Sequence, residues 1–203
     1  MNALPLSIQN LVKLISQFPG IGQKSAVRIA IWLALRPKKE IKKLVDAIID
    51  LKKKLKICPI CFNLDEKAPC RICSDLSRKK NLICVVEDFF DLISVEKTGF
   101  KGTYHILWGL INPTQGIGPK ELKIKELIDR IKTLKKKYKN IEVILATNPT
   151  VEGEATAIYL QKTLTPFKIR ITKLAKGIPE GADLEYTDEI TLKKAIEGRR
   201  ELK

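Results

Sequence analysis

Four cysteines arranged as two Cys-x-x-Cys pairs constrain the fold of this chain more than any other feature of its sequence. Cys58 and Cys61 form the first pair, and Cys70 and Cys73 form the second after a gap of eight residues. Each pair can present two thiolates to one tetrahedral ion, and four thiolates favour Zn²⁺ in a closed, structural site. The spacing therefore predicts one zinc ion per chain, held in a small finger over residues 58–80. Two redox dithiols or an iron–sulfur cluster are the alternatives, and neither explains both pairs as well.

The chain is strongly basic, and its excess positive charge is concentrated near the N-terminus. Its 203 residues include 38 Lys and Arg against 23 Asp and Glu, which gives a formal net charge of +15. Residues 1–57 carry 12 of the basic residues and only 3 of the acidic ones. A polyanion such as DNA is therefore a more natural partner than a neutral small molecule. The asymmetry predicts a basic N-terminal module followed by a nearly balanced globular region.

The sequence has no segment typical of membrane insertion or secretion. Its longest uncharged stretch, residues 102–119, is interrupted by prolines and polar residues and lacks the roughly 20 apolar residues that a bilayer span requires. The first residues lack the basic and apolar regions of a signal peptide. We therefore expect a cytoplasmic protein without a membrane partner, in a reducing compartment that favours metal binding by paired cysteines.

Residues 1–57 are predicted to form three helices. The first ends at Pro19-Gly20, the second runs from about Lys24 to Leu35, and the third runs from about Lys38 to Lys56. The third helix carries many lysines, most simply a solvated face. Its apolar residues are predicted to be buried, and they are Ile41, Leu44, Val45, Ile48, Leu51 and Leu55.

The turn between the first two helices predicts a phosphate-binding hairpin. Gly20 and Gly22 flank the apolar Ile21, and glycines let backbone N–H groups approach a phosphate closely. Lys24 and Arg28 lie one helical turn apart and extend the same surface. Gly20, Gly22, Lys24 and Arg28 are therefore the predicted DNA-binding residues. An ordinary pair of helices with solvated cations is the alternative.

The residues after position 80 alternate between predicted strands and helices, which indicates an α/β domain with a largely parallel sheet. In such sheets functional residues collect at the carboxyl ends of strands. Two segments stand at those positions, Glu87-Asp88 and residues 147–154. Two other side chains fall inside predicted strands and are expected to be structural, namely Cys84 and His105.

These two segments resemble the Toprim fold shared by type IA topoisomerases, primases and related nucleases. The strand VVED is followed about 60 residues later by NPTVEGE, where the topoisomerases have a segment like DPDREGE whose aspartates bind magnesium. Asn148 and Thr150 stand at those aspartate positions, and Mg²⁺ binds weakly without carboxylate ligands. The acids that remain are Glu87, Glu152 and Glu154. A metal-dependent nuclease, primase or topoisomerase is therefore the alternative function and not the leading one.

The order of segments along the whole chain resembles the RecR family of bacterial recombination mediators. After FPGIGQKSAVRIA and the four cysteines come VVED, YHIL, INPTQGIGP, LATNPTVEGEAT, LAKGIPEGADLEYTDEITL and EGRRE. The resemblance implies a multidomain α/β protein. Its parts would be a helix-hairpin-helix module over 1–57, a zinc finger over 58–80, a Toprim domain over 81–176 and a C-terminal tail with a helix over 177–203. Trp108 departs from the family, which usually has a small residue there.

The resemblance also implies a function without catalysis. A member of this family would bind single- and double-stranded DNA without sequence preference and act with RecO, and in some lineages RecF, to help load RecA at the nucleoid. It would work as a clamp or scaffold, in a ring of two or four copies. Apolar residues near both ends of the chain are the expected self-association surfaces, namely Leu11, Ile15, Leu192 and Ile196. The expected surface for a partner protein such as RecO comprises Glu87, Glu152 and Glu154.

Overall fold

The computed structural model describes residues 4–199 and 201, so the outermost residues of the predicted first and last domains lie outside it. The chain divides into two compact units, one ending at Leu55 and the other beginning at Lys56. Within the described part of the chain, no helix combines the length and the apolar character needed to cross a membrane.

The first unit is helical. Its helices are α1 (Leu6–Ile15), α2 (Gln23–Ala34) and α3 (Lys38–Lys54). α1 and α2 pack against each other, and two small alanines on α2 allow a close approach. Their shared core consists of Val12, Ile15, Ala26 and Ala30.

Two predictions about apolar faces of this unit are wrong. α3 buries none of its residues, and Leu44 and Ile48 keep 46% and 54% of their surface exposed. An apolar stripe identifies an amphipathic helix, but it does not determine which surface will cover that stripe. Ile15, by contrast, is predicted on a self-association surface and is only 5% exposed, because it packs in the core between α1 and α2.

The second unit is built on a parallel sheet of four strands in the order β4-β3-β5-β6. Before the sheet come two short antiparallel strands, β1 (Lys56–Ile57) and β2 (Leu64–Asp65), and the one-turn helix α4 (Arg71–Ser74). The sheet strands are β3 (Leu82–Val86), β4 (Thr103–Ile106), β5 (Glu142–Leu145) and β6 (Arg170–Lys173). The longer helices are α5 (Phe89–Glu96), α6 (Ile124–Lys135), α7 (Val151–Leu164) and α8 (Glu189–Glu197).

β3 is an apolar run because both faces of the sheet are covered there, and four of its five residues are buried. Along β3, Ile83 and Val85 pack in one core cluster with α6 and α7, whereas Cys84 and Val86 pack in a second cluster with α5 and the cysteine finger. This alternation is the period of two that a strand imposes on its side chains. The predicted multidomain α/β architecture is confirmed.

Cys84 and His105 are both buried in the sheet. Burial raises the pKa of the Cys84 thiol to about 12. His105 is 0% exposed and donates from Nε2 to the Lys123 carbonyl at 2.7 Å. Burial lowers the pKa of His105 to about 3, so its ring is neutral at physiological pH. Both side chains are therefore shielded from solvent.

Candidate metal centre and nucleic-acid interface

The four predicted metal ligands converge on one point. Their sulfur atoms all lie within 4.8 Å of one another, and Cys58, Cys61 and Cys70 are 0% exposed. A tetrahedral zinc ion with Zn–S bonds of about 2.3 Å would hold its sulfurs about 3.8 Å apart. The side chains therefore fit one zinc ion with small adjustments.

Backbone geometry at both cysteine pairs directs N–H groups at the sulfurs. The Cys70 N–H donates to Cys58 Sγ and the Cys73 N–H donates to Cys70 Sγ, both at 3.4 Å. The turn after the first pair passes through Phe62 at φ +64°, a left-handed conformation that is uncommon outside glycine. Both N–H groups therefore point at atoms that would ligate the metal.

Asp65 fixes the second cysteine pair, a role that its position in the sequence does not reveal. The residue is 5% exposed, and its carboxylate accepts hydrogen bonds from the Arg71 backbone N–H at 2.9 Å and from Arg71 Nε at 3.2 Å. These bonds, together with one from the Glu66 N–H, hold the pKa of Asp65 below its usual range. The only sequence signal is an acidic residue in the loop between the two pairs.

Arg130 brings a positive charge to the metal centre from α6, which is distant in the sequence. Its guanidinium donates to the Tyr104 carbonyl and to Thr103 Oγ1, and it interacts electrostatically with all four cysteines. Burial lowers the pKa of Arg130, whereas the cysteines raise it. Four thiolates on Zn²⁺ carry a net charge of minus two, so a nearby guanidinium offsets part of that charge.

The cysteine finger is attached to the sheet by hydrogen bonds. The Ile106 N–H at the end of β4 donates to the Cys61 carbonyl at 2.9 Å. Two residues further on, Trp108 adopts a left-handed φ of +62° and its indole Nε1 donates to the Phe62 carbonyl at 2.9 Å. The residue that departs from the family resemblance therefore connects the finger to the end of a sheet strand.

The hairpin presents an open backbone next to two cations. Gly20 has φ +76°, and a Cβ added at either Gly20 or Gly22 would meet no atom within 4 Å. Gly22 is the N-cap of α2, and no side chain accepts a hydrogen bond from the N–H groups of the first turn there. The partial positive charge of the helix N-terminus is therefore not offset by a cap. Lys24 and Arg28 are exposed, form no ion pair with any described residue, and line one shallow pocket of about 420 Å³. All four predicted DNA-binding residues are thus exposed, and their assignment to DNA stays a prediction.

The carboxyl edge of the sheet brings the two Toprim-like segments together. Asn148 Nδ2 donates to Glu87 Oε2 at 2.9 Å. Asp88 caps α5, and Thr150 Oγ1 caps α7 by accepting from the Gly153 N–H at 3.1 Å. Two of the side chains at this edge are therefore used to begin helices.

The negative charge of Glu154 is compensated by two lysines of the same chain. It forms ion pairs with Lys173 at 2.5 Å and with Lys176, and these two lysines lower the pKa of Glu154 to about 2. Glu152 lies in the first turn of α7 with part of its surface exposed. The assignment of Glu87, Glu152 and Glu154 to a partner surface stays a prediction, and Glu154 is the member whose charge is already paired.

Four family models match the chain in the order of its domains. A RecR helix-hairpin-helix model matches residues 8–52, a RecR four-cysteine zinc finger model matches 55–75, a Toprim domain model matches 81–175 and a RecR C-terminal model matches 177–200.

The fold and the metal centre define a multidomain DNA-binding protein of the zinc-finger and Toprim type. The chain belongs to the RecR family. The four cysteines bind one structural Zn²⁺, which supplies a cross-link that holds the finger folded. The helix-hairpin-helix domain indicates DNA binding, and the family indicates a role in DNA recombination and repair.

Proposed function

We propose that this protein is a noncatalytic recombination mediator that acts with RecO, and with RecF where present, to promote loading of RecA on single-stranded DNA. It works in the cytoplasm, at the nucleoid. The observation that carries the proposal is the open, cationic hairpin in a chain built from RecR domains. Its glycines and cations are suited to phosphates and not to base edges, so DNA binding is weak, salt-dependent and independent of sequence.

The experiment that tests the hairpin is a charge reversal, Lys24→Glu with Arg28→Glu. Electrophoretic mobility shifts on single-stranded and duplex DNA measure the effect. Each phosphate contact contributes about −0.9 to the slope of log K against log salt concentration on duplex DNA, so the loss of two contacts should weaken the affinity for duplex by at least about 60-fold at 0.1 M salt. Lys52→Glu with Lys53→Glu makes the same charge change on α3 and is the matched control. If the hairpin variant binds like the wild type, the hairpin is structural and the proposal loses its support.

A noncatalytic role is supported by how the carboxyl edge of the sheet is occupied. Asn148 holds Glu87, Thr150 caps a helix, and Glu154 is paired with two lysines. Across the described residues, at least three side chains of the metal-binding types converge only at the four cysteines. Purified protein with Mg²⁺ or Mn²⁺ should therefore neither relax, cleave nor ligate DNA. Metal-dependent cleavage that is lost in a Glu87→Gln variant would contradict this proposal.

The surface for RecO is proposed to include Glu87 and Glu152, with Glu154 contributing less because its charge is paired. Capture of purified RecO should be lost by a Glu87→Lys, Glu152→Lys variant. Glu180→Lys with Glu189→Lys makes the same charge change in the C-terminal region and should leave capture intact. Equal capture by both variants would place the partner surface elsewhere.

Self-association in a closed ring is proposed because several hairpins facing one strand would multiply weak contacts through their effective concentration. The exposed apolar face of α3, with Leu44, Val45, Ile48 and Leu51, supports a contact of this kind. Light scattering over a concentration series tests it. A monomeric mass at tens of micromolar, with or without DNA, would exclude the ring.

A further inference from the structure

A cationic groove lies at the amino edge of the sheet, opposite to the edge that holds Glu87 and Glu154. It has a volume of about 430 Å³. It is formed where β3, β5 and β6 begin. Its polar lining residues are Glu142 together with Lys79, Asn81, Lys139, Asn140, Lys168 and Arg170, and we call this surface the amino-edge groove.

Parallel topology builds the groove from three distant segments. β3, β5 and β6 are neighbours, and their register places Leu82, Glu142 and Arg170 level with one another. The segments that lead into these strands therefore lie side by side. Backbone hydrogen bonds fix them, because the Glu142 N–H donates to the Asn81 carbonyl at 2.9 Å and the Arg170 N–H donates to the Ile141 carbonyl at 3.0 Å.

Positive charge in the groove is largely uncompensated. Glu142 is its only acidic lining residue among those that the structure describes, and its Oε2 lies 3.6 Å from Arg170 Nη1. Lys79, Lys139 and Lys168 are exposed and form no ion pair with any residue in the described part of the chain. Cations held together in a concave surface raise the local concentration of anions.

Lys168 occupies a strained backbone position at the rim of the groove. Its φ and ψ are +51° and +47°, in the left-handed region that glycine or asparagine occupies far more readily than lysine. Strained residues of this kind cluster at functional sites. The lysine at this position therefore stands against the local backbone preference.

We propose that the amino-edge groove binds the phosphate backbone of DNA, as a contact additional to the hairpin. This inference rests on the proposed DNA-binding function and extends it to the Toprim domain. The lysines before β3 and β6 are spread over two strand spacings, about 9.6 Å, so the groove can contact more than one phosphate. None of its described lining residues is aromatic, which favours the backbone over stacking of a base.

The proposed contact would place DNA and a partner protein at opposite edges of the sheet in the same domain. Lysines without an ion pair to any described residue collect where the strands begin. Where the strands end, Lys173 and Lys176 are paired with Glu154, and the acids Glu87 and Glu152 lie beside them. A polyanion would be attracted to one edge of the sheet and repelled from the other. The Toprim domain can therefore hold DNA and a basic protein surface at the same time.

The test is a double variant, Lys139→Gln with Lys168→Asn, since asparagine tolerates the left-handed backbone. Two lost phosphate contacts should weaken binding to single-stranded DNA about 25-fold at 0.1 M salt and make the salt slope shallower by about 1.4. Lys120→Gln with Lys125→Gln removes the same charge near the start of α6, outside the groove, and should leave the slope unchanged.

A second measurement uses the wild-type chain, so it does not depend on how a variant folds. Acetylation of lysines followed by mass spectrometry should show that DNA protects Lys139 and Lys168 but not Lys120 and Lys125. Unchanged slope in the groove variant together with absent protection would overturn the inference, while a loss in the Lys24, Arg28 variant would leave the hairpin function standing. No DNA binding by the wild type would overturn both. Binding of inorganic pyrophosphate at the groove with DNA affinity unaffected would also overturn it, in favour of a small-anion site.

Discussion

The two compact units of this protein differ in how much of their apolar surface they bury. The unit that ends at Leu55 has a core cluster of 4 buried residues, whereas two clusters of 13 and 10 buried residues lie in the unit that begins at Lys56. The first unit leaves a whole helix, α3, without a buried residue. A hairpin that binds DNA needs an open backbone and cations, and two packed helices suffice to present them. The metal centre and the sheet edge position their side chains through contacts between segments that are distant in the sequence. Such contacts need a rigid platform.

Metal removal should produce the largest difference between the units. Zinc binding to sites of this kind is worth about 10 to 16 kcal/mol in apparent terms, which is comparable to the stability of a whole domain. Chelation, or Cys58→Ser with Cys70→Ser, should unfold the finger and destabilise the second unit, while the first unit has no ligand to lose. Metal analysis should find about one zinc per chain, and thermal unfolding should show the loss.

Cys84→Ala is the control for metal removal. Cys84 is buried but does not belong to the group of converging sulfurs, so this variant should keep its zinc. Protein without zinc whose melting curve is unchanged by a chelator would refute a structural metal.

Matched leucine truncations compare the two kinds of apolar surface. Leu160→Ala removes a side chain that is 0% exposed in the larger cluster and should cost about 2 to 5 kcal/mol. Leu44→Ala truncates a side chain that is 46% exposed and should cost less than about 0.5 kcal/mol. Urea unfolding at low protein concentration measures both. A large cost at Leu44 that grows with protein concentration would mean that α3 is covered in an assembly.

Substitution of two glycines by alanine should affect different properties, stability at Gly153 and DNA binding at Gly22. At Gly153 a Cβ would lie 1.9 Å from the Asn148 carbonyl oxygen, so Gly153→Ala should cost about 1 to 3 kcal/mol of stability. At Gly22 a Cβ meets nothing within 4 Å, so Gly22→Ala should cost about 1 kcal/mol or less and should weaken DNA binding instead. Urea unfolding and mobility shifts on both variants separate the two effects, and the reverse assignment would contradict them.

A fall in pH should destabilise the second unit through a single histidine, with a smaller change in the free energy of unfolding than metal removal causes. The only histidine, His105, lies in the second unit, and burial lowers its pKa to about 3 in the folded chain against about 6.5 when unfolded. The unfolded chain therefore binds the proton first, and stability is lost as pH falls from about 6.5 towards 3. Between pH 7.5 and 5.5 the loss should be about 1.4 kcal/mol. His105→Gln should remove that part of the pH dependence, and identical profiles for both proteins would contradict it.

Local spacing predicted much of this molecule. The cysteine pairs predicted the metal centre, and the alternation of strands and helices after position 80 predicted the α/β domain with its parallel sheet. The glycine turn predicted a hairpin because a left-handed φ at Gly20 is a local property. These features depend on residues close together in the chain.

Contacts between distant segments could not be predicted in this way. Arg130 reaches the cysteines from α6, and Glu154 meets Lys173 because β6 pairs with β5. The strand order decides both contacts, and no periodicity in the sequence specifies it. The prediction of a buried α3 was wrong for a related reason, since an amphipathic pattern does not identify the surface that covers it.

The hydrogen bond from Trp108 to the turn beside Cys61 gives the metal centre an intrinsic fluorophore. Its indole donates to the Phe62 carbonyl, so its emission should shift to longer wavelength when metal loss loosens that turn. The only other tryptophan, Trp32, lies on α2, where the Arg36 guanidinium sits 4.3 Å from the centre of its ring. Trp32→Phe and Trp108→Phe chains would therefore each emit from one unit alone, and zinc release and DNA capture could be followed as separate optical signals.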